Sequence, residues 1–304
     1  MKILKDAQLS WVNVDNPSAD DIAWLQREFG LHPLVIKELT VSMHHPKMDV
    51  FGNYIFLAFQ IPVEKDGGGN TLRIEELDLV IGKDWLISSH TSHLPFVGEF
   101  FAKCMASQET RKEYFEAGPA AVIQGLIAGL YENINLKLDN IEGQIAFIEE
   151  EIFKGREQNI VLVISQIRRE IIDFMRTLEP MQILFKELMT AGQSLLGKDA
   201  RPYLEYVSES HARLINILLT QRETITALEQ TNYSLLSTKT NENIRLLAVY
   251  ATLLLIPSII PGLFGMNLIG IPFSQNQHGF SIVTIVVIII TVMTFFFFKF
   301  KRWI

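Results

Sequence analysis

Few residues in this chain combine the type and spacing that chemistry requires. His90 and His93 form a His-x-x-His pair that could bring two imidazoles to one metal, but no Cys or carboxylate follows at ligand spacing. His44-His45 is no better supplied. Glu149, Glu150 and Glu151 close a helical pattern and read as a solvated helix end, with at most a loose hold on hydrated cations. Gly67-Gly68-Gly69 lacks the Lys-Ser/Thr of a phosphate loop and reads as a turn. Cys104 is the single cysteine, which excludes an intramolecular disulfide. No nucleophile–His–acid set is present, so neither an enzyme nor an organic cofactor is expected.

A second group of residues suggests passage rather than catalysis. On a helical wheel Asn241, Ala248, Thr252, Leu255, Ile259, Gly262 and Met266 fall on one narrow face, mostly small or polar. Such a face allows close packing or leaves a lumen. The elements that carry it are membrane spans. Leu246 to Phe264 and Phe280 to Phe298 are each 19 residues without a charge. At about 1.5 Å per residue each covers roughly 28 Å, the hydrocarbon thickness of a bilayer. Lys239 and Arg245 precede the first, Lys299, Lys301 and Arg302 follow the second, and Gly265 to Gly279 between them has no Lys or Arg. The basic flanks place both ends in the cytoplasm of a multi-pass protein of the cell membrane. Met1 to Ser10 has no apolar core region, so no signal peptide is expected.

The net charge is −7, and the three basic tail residues leave −10 on everything before Leu246. An acidic domain of this kind is a poor nucleic-acid partner and a suitable neighbour for metal cations. Residues 1–108 read as an α/β domain. Gln8 to Val14, Asn53 to Pro62, Glu75 to Ile81 and Asp84 to Ser89 are strand-like, and Ser18 caps a helix that Gly30 stops. Residues 109–200 read as a helical hairpin, one arm through Leu126 to Ile152 and a second carrying Ile160 to Leu188. Tyr203 to Lys239 keeps a near-heptad seam of Leu214, Leu218, Gln221, Ile225, Leu228, Asn232 and Leu235, whose polar members resemble register-fixing residues. The stalk is expected to run unbroken into the first span as one element, 201–264, followed by a loop (265–279), the second span (280–298) and a basic tail (299–304). Pro257, Pro261, Gly262 and Gly265 are expected to weaken its outer end.

Thr240-Asn241-Glu242, a span ending in Phe264-Gly265-Met266-Asn267, a second span and a basic tail together resemble the CorA-type magnesium channel family. His32-Pro33-Leu34, Pro46-Lys47-Met48-Asp49 and Arg176-Thr177-Leu178 with Pro180 agree. The resemblance implies an α+β cytoplasmic domain, long helices and two C-terminal transmembrane helices in a homopentameric funnel. It also implies Mg2+ as both cargo and regulator, with Gly265, Met266 and Asn267 as the outer selectivity site. Asn241, Leu247, Leu255 and Ser258 would line the pore beside Ala248, Thr252 and Gly262 of the small face. Acidic sites between subunits would sense magnesium, and Glu205 and Glu209 of the stalk with Glu64 or Asp66 of the facing domain are the candidates. Two departures stand out: Phe264 replaces the Tyr that usually precedes Gly-Met-Asn, and the outer loop has no acidic residue. The remaining alternatives are a zinc, cobalt or nickel transporter of the same fold, and a membrane-tethered scaffold.

Overall fold

A computed structural model of the chain describes residues 1–41, 45–64, 72–156, 158–266 and 277–303. They divide into two compact units, Met1–Glu229 and Gln230–Ile304. The first begins with strands β1 (Lys2–Lys5) and β2 (Ser10–Asp15) and helices α1 (Ala19–Phe29) and α2 (Pro33–Thr40). Strands β3 (Lys47–Val50), β4 (Tyr54–Glu64), β5 (Leu72–Gly82) and β6 (Trp85–His90) follow. Helices α3 (Pro95–Ala106), α4 (Gln108–Glu116), α5 (Pro119–Phe153), α6 (Val161–Leu178) and α7 (Met181–Leu196) complete the series before the stalk.

The six strands form one sheet in the order β1-β2-β6-β5-β4-β3, with β2 and β6 parallel and every other pair antiparallel. Both faces are covered, which is why β4 reads as a nearly continuous apolar run. Val12, Val14, Phe56, Ala58, Val80 and Ile87 pack beneath Ile22 and Leu25 of α1 and Val35 and Leu39 of α2. On the other face Trp11 meets Phe101 of α3 edge-on at 4.9 Å, and Phe59 lies 5.4 Å from Phe185 of α7. Each such fully buried aromatic or aliphatic side chain contributes about 1.5–3 kcal/mol. The start of α1 is a capping box: Asp21 N–H donates to Ser18 Oγ at 3.2 Å, and Ser18 N–H donates to Asp21 Oδ2 at 3.0 Å. Gly30 ends it at φ 63°, a left-handed conformation that costs glycine little.

The second arm of the expected hairpin is two helices, not one. Pro180 has no N–H to offer the carbonyl of Arg176, and its ring crowds that turn, so α6 ends at Leu178 and α7 starts at Met181. Helix α8 is a single element from Arg201 to Phe264, 64 residues or about 96 Å of rise, and it carries both Pro257 and Pro261 internally. Helix α9 spans Gly279–Phe300. Both are long and apolar enough to cross a membrane, and only 6 % of each apolar window is buried within the chain, unlike a soluble core helix.

Candidate ion pathway

The stalk half of α8 is held by a seam at alternating three- and four-residue steps: Leu204, Val207, His211, Leu214, Leu218, Gln221, Ile225, Leu228 and Asn232, all buried. Polar members of the seam set its register. Tyr131 of α5 donates from its hydroxyl to His211 Nδ1 at 2.6 Å, while His211 Nε2–H donates to the Leu178 carbonyl at 3.0 Å. A carbonyl only accepts, which fixes the proton of the neutral ring on Nε2. That carbonyl belongs to the last turn of α6, which the break at Pro180 truncates. Burial drives the His211 pKa down from 6.5 to about 4. Gln221 Nε2 donates to the Leu138 carbonyl at 2.9 Å, and Arg168 of α6 pairs with Glu229 at 2.9 Å. Gln221 thus makes its bond inside one chain.

Beyond Asn232 the same helix presents a different surface. Asn241, Ala248, Leu255 and Gly262 stand seven residues apart and are exposed, as are Ile244, Ala251, Ser258 and Gly265. Asn241, Ala248, Leu255 and Gly262 belong to the mostly small or polar stripe read from the wheel, with Thr252, Ile259 and Met266 beside them, and the second series lies on its flank. Ser258 joins it if the helix supercoils to about 3.5 residues per turn, whereas Leu247 stays on its flank, roughly 100° away. Thr252 and Ser258 each donate their hydroxyl to the carbonyl four residues back, Ala248 and Leu254, at 2.8 Å. The proton is thereby spent internally, and each oxygen keeps its capacity to accept a hydrogen bond. The final turn closes with Gly265 N–H to Pro261 O at 2.9 Å and Met266 N–H to Leu263 O at 3.3 Å. The helix therefore ends at Gly265-Met266 with the negative end of its dipole, about half an elementary charge. Asn267, the third residue of the expected selectivity site, lies outside the described residues.

The remaining candidates separate. Glu205 is half-buried and within 3.7 Å of Arg201 on its own helix, and Glu209 is exposed. Glu64 ends β4 in register with Leu72, and Asp66 lies outside the described residues. Among the described residues no three His, Cys, Asp or Glu side chains converge as a metal site. His90 and His93 diverge. His90 is buried against the Asn13 Oδ1 and the Thr91 carbonyl, whereas His93 Nδ1 lies 3.5 Å from Glu75 Oε1, a carboxylate that sequence spacing did not reveal. The Gly67–Gly69 turn and His44 lie outside the described residues. The Glu149–Glu151 run is only in part a solvated end. Glu150 pairs with Lys154 at 2.6 Å, but Glu151 is buried and pairs with Arg156 at 3.1 Å, because it faces the packed side of α5. Sequence reading missed His211, although it stands three residues before Leu214 and four after Val207, on the seam's own spacing.

Residues 6–302 match the family model described as CorA-like Mg2+ transporter protein. The cobalt/magnesium transport protein CorA of Thermotoga maritima is 24% identical over 297 residues, covering 97% of this chain and 83% of that protein. Among solved structures, the complete CorA magnesium transporter of Methanocaldococcus jannaschii superposes with a TM-score of 0.80 at 19% identity, covering 99% of this chain and 93% of that one. The full-length CmaX protein gives 0.73 at 19% identity, over 99% and 91%. An α+β unit, long helices and two C-terminal spans are thus shared with these structures, and with the family model matching residues 6–302, this chain belongs to the CorA-like Mg2+ transporter family.

Proposed function

We propose that this chain is one subunit of a passive divalent-cation channel that carries magnesium inward, five copies of α8 surrounding a shared axis. The observation that carries this reading is the family match over residues 6–302, which includes a first span whose exposed stripe is small, polar and uncharged and ends in Gly265-Met266-Asn267. Magnesium dehydrates reluctantly, so a path of dipoles that bond to its waters suits it better than a carboxylate cage. The Asn241 amide and the accepting oxygens of Thr252 and Ser258 are such dipoles. The dipole end of α8 at Gly265 supports cation capture in an outer loop that has no acid of its own. An inside-negative potential supplies about 4.6 kcal/mol per 100 mV to a divalent ion, twice the single-charge figure. Glu205 and Glu209, with Glu64 and Asp66, are proposed as cytoplasmic acids through which internal magnesium closes the channel. Both termini are placed in the cytoplasm by the basic flanks of the spans.

The test is flux through the full chain in liposomes under an imposed potential, with Mg2+, Co2+, Ni2+ and Zn2+ offered separately. Magnesium flux is expected, and Asn267→Ala is expected to abolish it in an oligomer that still assembles. Zinc flux alone would move the reading to the zinc alternative. Unchanged magnesium flux in intact Asn267→Ala oligomers would remove the selectivity role of that residue.

A further inference from the structure

We infer that the groove between α5 and α8 holds a hydrated divalent cation, seated against Gln221 and bracketed by Glu142 and Glu149. The groove has a volume of about 530 Å³, and its walls include Glu142 and Glu149 from α5 and Thr220, Gln221 and Thr224 from α8. The two helices run in the same direction here, since Tyr131 meets His211 and Leu138 meets Gln221. Gln221 is only 6 % exposed. Its Nε2 donates to the Leu138 carbonyl, while its Oε1 is buried without a hydrogen-bond partner. An amide oxygen can only accept, so Gln221 calls for a donor that no described residue supplies.

The rest of the wall calls for the same partner. Thr220 Oγ1 donates to the Asn216 carbonyl at 3.0 Å, and Thr224 Oγ1 to the Thr220 carbonyl at 2.9 Å. Both hydroxyl protons are spent in this way, and both oxygens are left as acceptors. Glu142 and Glu149 are exposed carboxylates, and neither has an ion pair among the described residues. Seven residues apart, they share one face of α5 at a separation of about 10.5 Å. That separation selects the form of the ion. Magnesium binds water at about 2.0–2.1 Å, and a water donates to a carboxylate at about 2.7 Å, so an ion that keeps its waters bridges acceptors about 9.6 Å apart. A bare ion spans less than half of that. Nor do three His, Cys, Asp or Glu side chains converge among the described residues to replace its waters. The donors that line the groove, the Arg213 guanidinium and the Asn216 amide, stand about 12 and 7.5 Å before Gln221 along α8. They lie to one side of the position the ion takes.

The waters of the ion donate to Gln221 Oε1, to the two threonine oxygens and to both carboxylates, and the ion thereby ties α5 to α8. The site is built within one chain and depends neither on the pore nor on a shared axis. It is tested by equilibrium dialysis of the full chain in detergent with hexaamminecobalt(III), whose six ammines donate where six waters would and do not exchange. The parent is expected to bind one more ion per chain than Glu142→Gln/Glu149→Gln, an exposed pair whose replacement leaves the core untouched. Glu205→Ala/Glu209→Ala is expected to retain that ion, which separates this site from the proposed stalk acids. Gln221→Met, with a melting curve to show that it is folded, is expected to weaken the site several-fold. Magnesium is expected to displace the probe from the parent. The same number of bound ions in the parent and in Glu142→Gln/Glu149→Gln overturns the inference. Displacement by spermidine but not by magnesium overturns it as well, since the occupant would then be an organic amine.

Discussion

His211 shows how a single buried group can set a stability profile. Its ring is fully buried between Tyr131 and the Leu178 carbonyl, and burial lowers its pKa from 6.5 to about 4. A depressed folded value means that the unfolded chain binds the proton first. The stability His211 contributes is present above 6.5 and is lost as pH falls toward about 4, on the order of 3 kcal/mol across that window. Melting temperature between pH 7 and 4 is expected to drop steeply in the parent and more gently in His211→Gln, which cannot titrate. His211→Ala leaves a phenolic hydroxyl and a carbonyl unpaired in a cavity and is expected to cost about 2–5 kcal/mol at pH 7. An unaltered melt in His211→Ala would mean that water replaces the ring at no cost.

At the scale of elements, much was legible because period and punctuation agreed. Ser18 and Gly30 bounded α1, the alternation around Trp11 marked β2, and the absence of Pro and Gly from Tyr203 to Ile256 gave α8 as one helix. Strands β1 and β3 were not legible. Each has four residues and is an edge strand, so pairing with a neighbour rather than its own pattern defines it. Pro180 was visible, but its effect depended on whether the Leu178 carbonyl found another donor, and that donor lies 33 residues away on α8. The buried pairing of Glu151 and the approach of Glu75 to His93 were hidden for the same reason, since spacing says nothing about partners on other elements. Helix α8 also bears on assembly. Two spans cannot enclose a pore, and the exposed seven-residue series from Asn241 to Gly262 lacks a partner type other than another apolar or small surface. Native mass measurement in detergent is expected to give five copies of the 34.7 kDa chain. A conducting monomer or dimer would end the shared-axis proposal.

At the scale of the whole molecule, the decisive property is charge. Everything before Leu246 carries −10, while residues 246–298 carry no Asp, Glu, Lys or Arg. Copies gathered around one axis would bring these acidic units together at a cost of several kT over their surfaces. Magnesium bound between copies would relieve that repulsion only in the packed arrangement and so would favour packing, and a ligand shifts an equilibrium no further than its preference between states allows. Glu205 and Glu209 are the stalk acids proposed for this role. Glu209 is exposed, and the link of Glu205 to Arg201 at 3.7 Å is a weak surface pair that a divalent ion can displace. Replacing both with Ala is expected to leave conduction intact and to raise the internal magnesium needed for inhibition several-fold, as read from current against internal magnesium. Salt should act in the same direction as magnesium but less steeply, because screening lowers repulsion in both arrangements whereas a bridging ion stabilises one. An inhibition curve that stays in place in the double variant would make the two carboxylates ordinary solvated residues and shift the sensor to Glu64 and Asp66.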